Sequence, residues 1–332
     1  MRAILSRFFN NIWYGNAWQC ILFLPVTWVF SQLVKIRRIA YNSGWLSSQS
    51  FPVPVIVVGN ISVGGSGKTP LVIWLVELLK NAGYKPAIIS RGYKGKAANW
   101  PQQVRVDSDP VVVGDEAVQL ARRCRCPIAV GPDRCAAINA ILDHTDCNVI
   151  VSDDGLQHYA MQRDIEIAVI DGIRRHGNQR LLPSGPLREP VARLEQVDFV
   201  VSNGIAGRGE YAMRVKGLMA RNLMSDKLQG LERFSGQTVH AVCGIGNPER
   251  FFDGLRQFDI DLIEHVLPDH HPFSEQDINF DDDLPVLMTE KDAVKCQRFK
   301  TSCHWFVPVQ ADLNKHFAPR LLALLEKRKD NG

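Results

Sequence analysis

Val55-Ile-Val-Val-Gly-Asn-Ile-Ser-Val-Gly-Gly-Ser-Gly-Lys-Thr-Pro70 is the stretch on which the fold turns. Val55 to Val58 form a short, β-branched apolar run of the kind that makes a buried strand. A glycine-rich turn follows, then Leu71, Trp74, Leu75, Leu78 and Leu79 at helical spacing. Pro70 suits the first turn of that helix, where a missing N–H costs little, and Gly83 suits its end. Strand, glycine loop and helix in this order make a cradle for phosphate. Backbone N–H groups turn inward, and the helix N-terminus adds partial positive charge. Ser62, Val63, Gly64, Gly65, Ser66, Gly67, Lys68 and Thr69 form the expected nucleotide loop. Lys68 reaches for the β- and γ-phosphates, and the Thr69 hydroxyl for Mg²⁺. Ser62 stands where the usual P-loop pattern has its first glycine; Gly64 and Gly65 supply the freedom instead.

Around this loop the chain alternates strands and helices, which predicts a parallel sheet with helices on its faces. Pro86–Ser90 reads as the second strand, and Arg91, Tyr93 and Lys94 just beyond it fall near the mouth of the crevice or on a solvated turn. The arrangement recurs at Val111-Val-Val-Gly-Asp-Glu116: apolar residues, a glycine, two acids, then a helical run. Asp115 and Glu116 read either as helix cap and first-turn acid or as a base and a metal contact. Asn148-Val-Ile-Val-Ser-Asp-Asp-Gly155 reads as a buried strand ending in Asp153 and Asp154, where a P-loop site needs a carboxylate for Mg²⁺. Gln157 and His158 point toward the same crevice. Ile165–Asp171 is expected as the neighbouring strand, and Arg174 to Arg193, with Arg188 inside a Pro/Gly-rich loop, as an anion-binding segment.

The remaining sequence predicts a strand at Val197–Ser202, extended linking strands over Tyr211–Asp226, and a second α/β layer. That layer takes strands at Thr238–Cys243, Leu284–Met288 and Trp305–Val309, a helix at Glu249–Gln257 and a closing helix at Pro319–Lys327. Within it, Pro268-Asp-His-His271 offers a proton acceptor or metal ligand, and Thr289-Glu-Lys-Asp292 ends a strand.

Composition sets bounds. The 332-residue chain has a formal net charge of +4, which argues against wholesale polyanion or nucleic-acid binding. Its eight cysteines show no zinc spacing and read as reduced thiols. Ala17 to Val34 is uncharged and rich in Ile, Leu, Phe, Val and Trp. Arg2 and Arg7 lie before it and Lys35, Arg37 and Arg38 after it, with Trp13, Tyr14, Trp18, Trp28, Tyr41 and Trp45 nearby. Three readings stay open: a single span, an in-plane membrane anchor and a buried core helix. The bulky, basic residues that follow argue against a cleaved signal peptide.

Gly-Gly-Ser-Gly-Lys-Thr-Pro (64–70), Ser-Arg-Gly-Tyr (90–93), Gly-Asp-Glu (114–116), Asp-Asp-Gly-Leu-Gln-His (153–158), Gly-Pro-Leu-Arg-Glu (185–189), Pro-Asp-His (268–270) and Met-Thr-Glu-Lys-Asp-Ala-Val-Lys (288–295) together resemble the tetraacyldisaccharide 4′-kinases of lipid A biosynthesis. The resemblance covers nearly the whole chain. It implies a P-loop NTPase-like α/β/α sandwich joined by a β-ribbon to a smaller α/β domain, plus an N-terminal hydrophobic helix. The expected divisions are 1–47, 48–210, 211–230 and 231–332. It further implies transfer of the ATP γ-phosphate to the 4′-hydroxyl of an acylated disaccharide 1-phosphate, at the cytoplasmic face of a bacterial inner membrane. No nucleic-acid or protein partner is expected. Lys68 and Thr69 would take the phosphates and Mg²⁺, and Asp153, Asp154 and Glu116 would complete the metal site. Asp115 would accept the hydroxyl proton, His270 (or His271) would orient Asp115 and raise its basicity, and Arg188 would stabilise charge on the phosphoryl group or on the substrate 1-phosphate. A P-loop switch that hydrolyses nucleotide to drive a partner is the competing function.

Overall fold

The computed structural model describes residues 2–15 and 18–329. Ala17, the first residue of the apolar segment, lies outside the described residues, and so do the side chains of Arg2 and Arg7.

Among the described residues, fifteen strands form two sheets. The first eight are β1 Val55–Gly59, β2 Pro86–Ser90, β3 Gln102–Gln103, β4 Ile128–Val130, β5 Val149–Asp153, β6 Ile165–Asp171, β7 Phe199–Asn203 and β8 Tyr211–Lys216. The rest are β9 Met219–Asn222, β10 Leu228–Gly230, β11 Thr238–Cys243, β12 Asp261–Val266, β13 Val286–Thr289, β14 His304–Val307 and β15 Gln310–Leu313. The large sheet runs β15-β8-β7-β6-β1-β5-β2-β4-β3, and the small one β10-β9-β14-β13-β11-β12.

In the large sheet only the outermost pairings, β3 with β4 and β15 with β8, are antiparallel. The inner strands are largely apolar on both sides, as a sheet covered on both faces requires. Helices Lys68–Asn81, Asp115–Cys124 and Phe317–Lys329 pack on one face around Leu71, Leu75, Leu120 and Phe317; helix Arg134–His144 covers the other through Ile138 and Ile141. β1 sits in the middle, between β5 and β6. Ile165–Asp171 is therefore not the neighbour of the strand ending in Asp153; the phosphate-loop strand separates them. That position puts the loop at the sheet's topological switch, where such folds bind ligands.

Two further expectations change. Val111–Val113 belongs to a short helix, Pro110–Val113, whose N-terminus Asp109 caps through Val111 N at 2.8 Å. The end of the chain does not stay with the second sheet. β15 pairs with β8 of the first sheet, and Phe317, Leu321 and Leu325 join its core. β8–β9 and β14–β15 thus form a two-stranded antiparallel ribbon between the sheets. Residues 310–329 belong with the first sheet, not with a continuous unit at 231–332.

At the N-terminus, Trp18–Phe23 is a 3₁₀ turn that leads into helix Leu24–Asn42. Neither buries a residue, so the core-helix reading fails. One flank is tied to the protein: Thr27 Oγ1 lies 2.8 Å from Ser184 Oγ, and the Tyr41 ring lies 5.9 Å from that of Tyr159. The opposite flank exposes Leu22, Val26, Val29, Leu33 and Ile36. Their steps of four and three residues put them on one helical face.

Candidate active site

The carboxyl ends of the large sheet, the ribbon and the second sheet enclose a cleft of about 830 Å³. Val63 to Pro70, Asp153, Asp154, Gln157 and Arg188 line one side; Arg250, Asp269, His270 and Lys291 line the other.

The phosphate loop is held from both ends. Asn60 Nδ2 donates to Ser66 Oγ at 3.3 Å, and Asn203 Nδ2, at the end of β7, donates to the Ser66 carbonyl at 3.1 Å. Gly67 has φ +96°, and a Cβ there would lie 2.4 Å from Asn203 Nδ2, so no larger residue fits. Gly64 and Gly65 face open space, where an added Cβ would meet nothing within 4 Å. Ser62 serves the loop's frame: it makes a β-bridge with Leu187, while Val63 N donates to the Pro186 carbonyl at 2.8 Å. Ser62 is absent from the cleft lining.

Asp153 and Asp154 leave β5 side by side but meet different surroundings. Asp154, at φ +50°, receives Arg188 Nη1 at 3.0 and 3.1 Å and Lys68 Nζ at 3.5 Å. Burial pushes its carboxyl up, but Lys68, Arg188 and Arg134 outweigh that and hold it at about 2. Asp153 is buried, and its Oδ1 has no hydrogen-bond partner. Burial, with Glu116 and Asp154 adding repulsion, lifts its carboxyl to about 7 against Lys68 and Arg134. A buried, unpartnered carboxylate oxygen beside a phosphate loop fits a divalent cation.

Asp115 stands at the seam between the two sheets. His270 Nδ1 lies 2.9 and 3.1 Å from its two oxygens, and Lys295 Nζ lies 3.8 Å away. Burial pushes this carboxyl up, yet the His270 hydrogen bond and the charges of Lys291 and Lys295 prevail and hold it at about 2. His270 therefore keeps Asp115 ionised; it does not raise its basicity. Asp115 is 5 % exposed and lies one layer behind the cleft lining, with His270 and Glu116 in front of it. His270 itself takes the left-handed φ of +60°, which its neighbours must enforce. His271 turns to Asp277, 3.2 Å away. Glu116 Oε1 pairs with Lys291 Nζ at 3.0 Å.

Not every expected residue reaches the cleft. Among the arginines of 174–193, only Arg188 lines it. Arg175 pairs with Glu210 at 2.6 Å, Arg193 with Glu166 at 2.5 Å, and Arg174 lies over the Tyr14 ring. His158 is also absent from the lining; burial and Arg134 hold its pKa down near 4. Conversely, Asn60, Asn203 and Arg250 carried no visible pattern in the sequence. Arg250 Nη2 donates to Asn203 Oδ1 at 2.7 Å, linking the second sheet to the phosphate loop.

A family model described as tetraacyldisaccharide-1-P 4′-kinase matches residues 19–326. The chain belongs to the tetraacyldisaccharide 4′-kinase family. Among members, that of Nitrosococcus oceani is 52 % identical over 322 residues, covering 97 % of this chain and 95 % of its own. That of Methylobacillus flagellatus is 48 % identical over 331 residues, covering 98 % of both. The crystal structure of the Aquifex aeolicus enzyme in complex with ATP aligns with TM-score 0.78 at 27 % identity, covering 93 % of this chain and 99 % of that one. The kinase family therefore accounts for the two-sheet architecture, the ribbon and the apolar N-terminal helix together.

Proposed function

We propose that this chain transfers the γ-phosphate of ATP to the 4′-hydroxyl of an acylated glucosamine disaccharide 1-phosphate. One observation carries the reading: the phosphate loop on one sheet and His270 on the other line a single cleft, and His270 is hydrogen-bonded to Asp115 directly behind it. A hydrolytic switch needs the first and has no use for the second.

Gly64 to Thr69 would cradle the triphosphate with their backbone N–H groups, and Lys68 would lie along the β- and γ-oxygens. That contact draws Lys68 from Asp154, which keeps Arg188 as its partner. Mg²⁺ would be held by Thr69 and Asp153; Asp154 and Glu116, already paired with cations, would face it from the same cleft. When bound, it neutralises phosphate charge. Arg188 would stabilise charge on the phosphoryl group.

A carboxyl held at about 2 stays ionised throughout the physiological range, so Asp115 is always ready to accept a hydrogen bond from the attacking hydroxyl. Phosphoryl transfer passes through a loose transition state, and the proton moves late. Orientation of the O–H thus matters more here than a high base pKa. The hydroxyl must reach a carboxylate lying behind the lining, so acceptor binding has to part His270 or Glu116 from its neighbours.

The acceptor's acyl chains explain the N-terminus. Each CH₂ drawn out of a bilayer costs about 0.8 kcal/mol, so the enzyme must come to the lipid. Trp18–Asn42 is long and apolar enough to cross a membrane by length and composition. The ties of Thr27 to Ser184 and of Tyr41 to Tyr159, which hold the helix along the folded protein, favour a helix lying in the plane of the inner membrane, with both sheets on the cytoplasmic side. Phe30, Val34 and Arg37 of this helix border the cleft, which brings acyl chains and headgroup together. On this reading the functional units are 48–216 with 310–329, and 219–307, flanking the cleft.

Incubation of detergent-solubilised protein with γ-labelled ATP and the acyl disaccharide 1-phosphate tests the proposal. Label on the lipid is the expected outcome. Label on water alone would establish the switch.

A further inference from the structure

The run Thr289–Lys295 at the end of β13 enters the chemistry above only through the charges of Lys291 and Lys295, yet it crosses the seam repeatedly. The Glu290 carboxylate accepts Arg123 Nη1 at 3.0 and 3.1 Å and Gln119 Nε2 at 3.1 Å, both from helix Asp115–Cys124. The Asp292 carboxylate accepts Gly244 N at 2.8 Å and Thr289 Oγ1 at 2.7 Å; the Gly244 carbonyl in turn accepts His270 N at 3.3 Å. The short helix Glu290–Ala293 is thereby fixed both to the helix that begins with Asp115 and to the loop that carries His270.

Between these anchors Lys291 is 15 % exposed, and its Nζ has three partners: Glu116 Oε1 at 3.0 Å, His270 Nε2 at 3.1 Å and Asp269 Oδ1 at 3.3 Å. An ammonium has three N–H donors and no lone pair. The imidazole nitrogen facing it must therefore present its own lone pair. That leaves the ring proton on Nδ1, which donates to Asp115. The opposite tautomer would set a bare Nδ1 against the Asp115 carboxylate. Its Nε2–H would point at Lys291, with only Asp269 Oδ1 at 3.7 Å to accept it, too far for a hydrogen bond.

We propose that Lys291 is a positioning residue: it fixes the Nδ1–H tautomer of His270, and through that hydrogen bond the orientation of the Asp115 carboxylate. Because the same ammonium grips Glu116 on the helix that packs against the other sheet, the tautomer is correct only while the two halves of the cleft are together. A ring nitrogen that must accept from one neighbour while its partner nitrogen donates to the next is locked by both, as in the outer-shell pairs that orient histidine ligands. This rests on the catalytic reading of Asp115 and His270.

The test uses the full-length protein in detergent, histidine-labelled with ¹⁵N and free of nucleotide. The His270 signals are assigned by their loss in His270→Gln. Wild type is expected to show Nδ1 protonated and Nε2 as acceptor. In Lys291→Met the ring should move to a mixture of tautomers. Turnover should fall about tenfold or more through misorientation, with the KM for ATP unchanged. Lys291→Arg keeps donors to both His270 and Glu116 and should restore the tautomer and most of the turnover. An unchanged His270 tautomer in Lys291→Met overturns the proposal, and so does unchanged turnover. A raised KM for ATP with the tautomer intact also overturns it, making Lys291 a phosphate ligand. If Lys291→Met does not fold by circular dichroism, Lys291→Gln is held to the same outcomes. The NMR readout needs no turnover, so retained activity in Asp115→Asn would sink the base assignment while leaving the tautomer result standing.

Discussion

Two pairs of consecutive acids stand at the cleft or just behind its lining, Asp153–Asp154 at the end of β5 and Asp115–Glu116 at the start of a helix, and their surroundings treat them differently. At the end of β5 one acid is clamped by Lys68 and Arg188 while the other has a buried oxygen with no partner. At the seam both acids are satisfied, Asp115 by His270 and Glu116 by Lys291. Asp153 is held near 7 and Asp115 near 2. The first corner leaves one buried carboxylate oxygen, Asp153 Oδ1, without a partner, as a cation site should. The second is electrically complete and offers an ionised acceptor, as a proton-handling site should.

Neutralising the seam challenges this contrast most severely. Asp115→Asn should cut turnover by roughly 10²–10⁴-fold while nucleotide affinity, read by fluorescent-analogue binding, survives. Near-normal turnover would make Asp115 a helix-terminal acid and nothing more. Asp153→Asn should do the reverse in kind. Divalent-cation affinity, measured by calorimetry with Mn²⁺, should weaken by at least the roughly 10–100-fold that losing even an outer-shell partner costs. Unchanged affinity would move the cation elsewhere in the cleft.

Acidity separates the two corners further. Burial raises the Asp153 pKa, so the folded protein binds a proton there that the unfolded chain has released. The cation-free protein should therefore lose stability as pH rises from about 4 to about 7, then level off. Asp153→Asn should flatten that dependence in thermal melts. Cation affinity should fall about tenfold per unit below pH 7, because the proton and the cation compete for one carboxylate. The smallest effect on chemistry is expected at the membrane face. Val29→Asp with Leu33→Asp should abolish sedimentation with anionic vesicles yet leave ATP affinity unchanged; vesicle binding that persists would place the anchor elsewhere.

The sequence made β1, β5 and β6 legible because each is a short β-branched run ended by glycine or acid. β2 and β11 have the expected limits, Pro86–Ser90 and Thr238–Cys243. What stayed hidden is long-range. β12 is mostly exposed, with no apolar run to mark it. Nothing local in Gln310–Leu313 says that it returns to the first sheet, because its partner β8 lies far earlier in the chain, at Tyr211–Lys216. Val111–Val113 looks like a strand by composition, but the Asp109 cap and Pro110 start a helix there. In the site, Lys68, Asp153 and Asp154 follow from the spacing of a loop and a strand end. Asn60 and Asn203 do not, since an asparagine holding a loop has no periodicity to betray it. The charge of a carboxyl is equally a matter of neighbours: His270 and two lysines arrive from another sheet, and only their meeting with Asp115 sets its pKa low.

If the triphosphate held by the loop 62–69 ends at the seam where Asp115 and His270 meet, a crystal structure of this chain with Mg²⁺ and a non-hydrolysable ATP analogue will show it. The cation is expected on the free oxygen of Asp153, and the terminal phosphate should face the Asp115–His270 pair across a gap sized for a sugar hydroxyl. A terminal phosphate turned away from the seam, with Asp153 uncoordinated, would overturn the catalytic reading of both acid pairs.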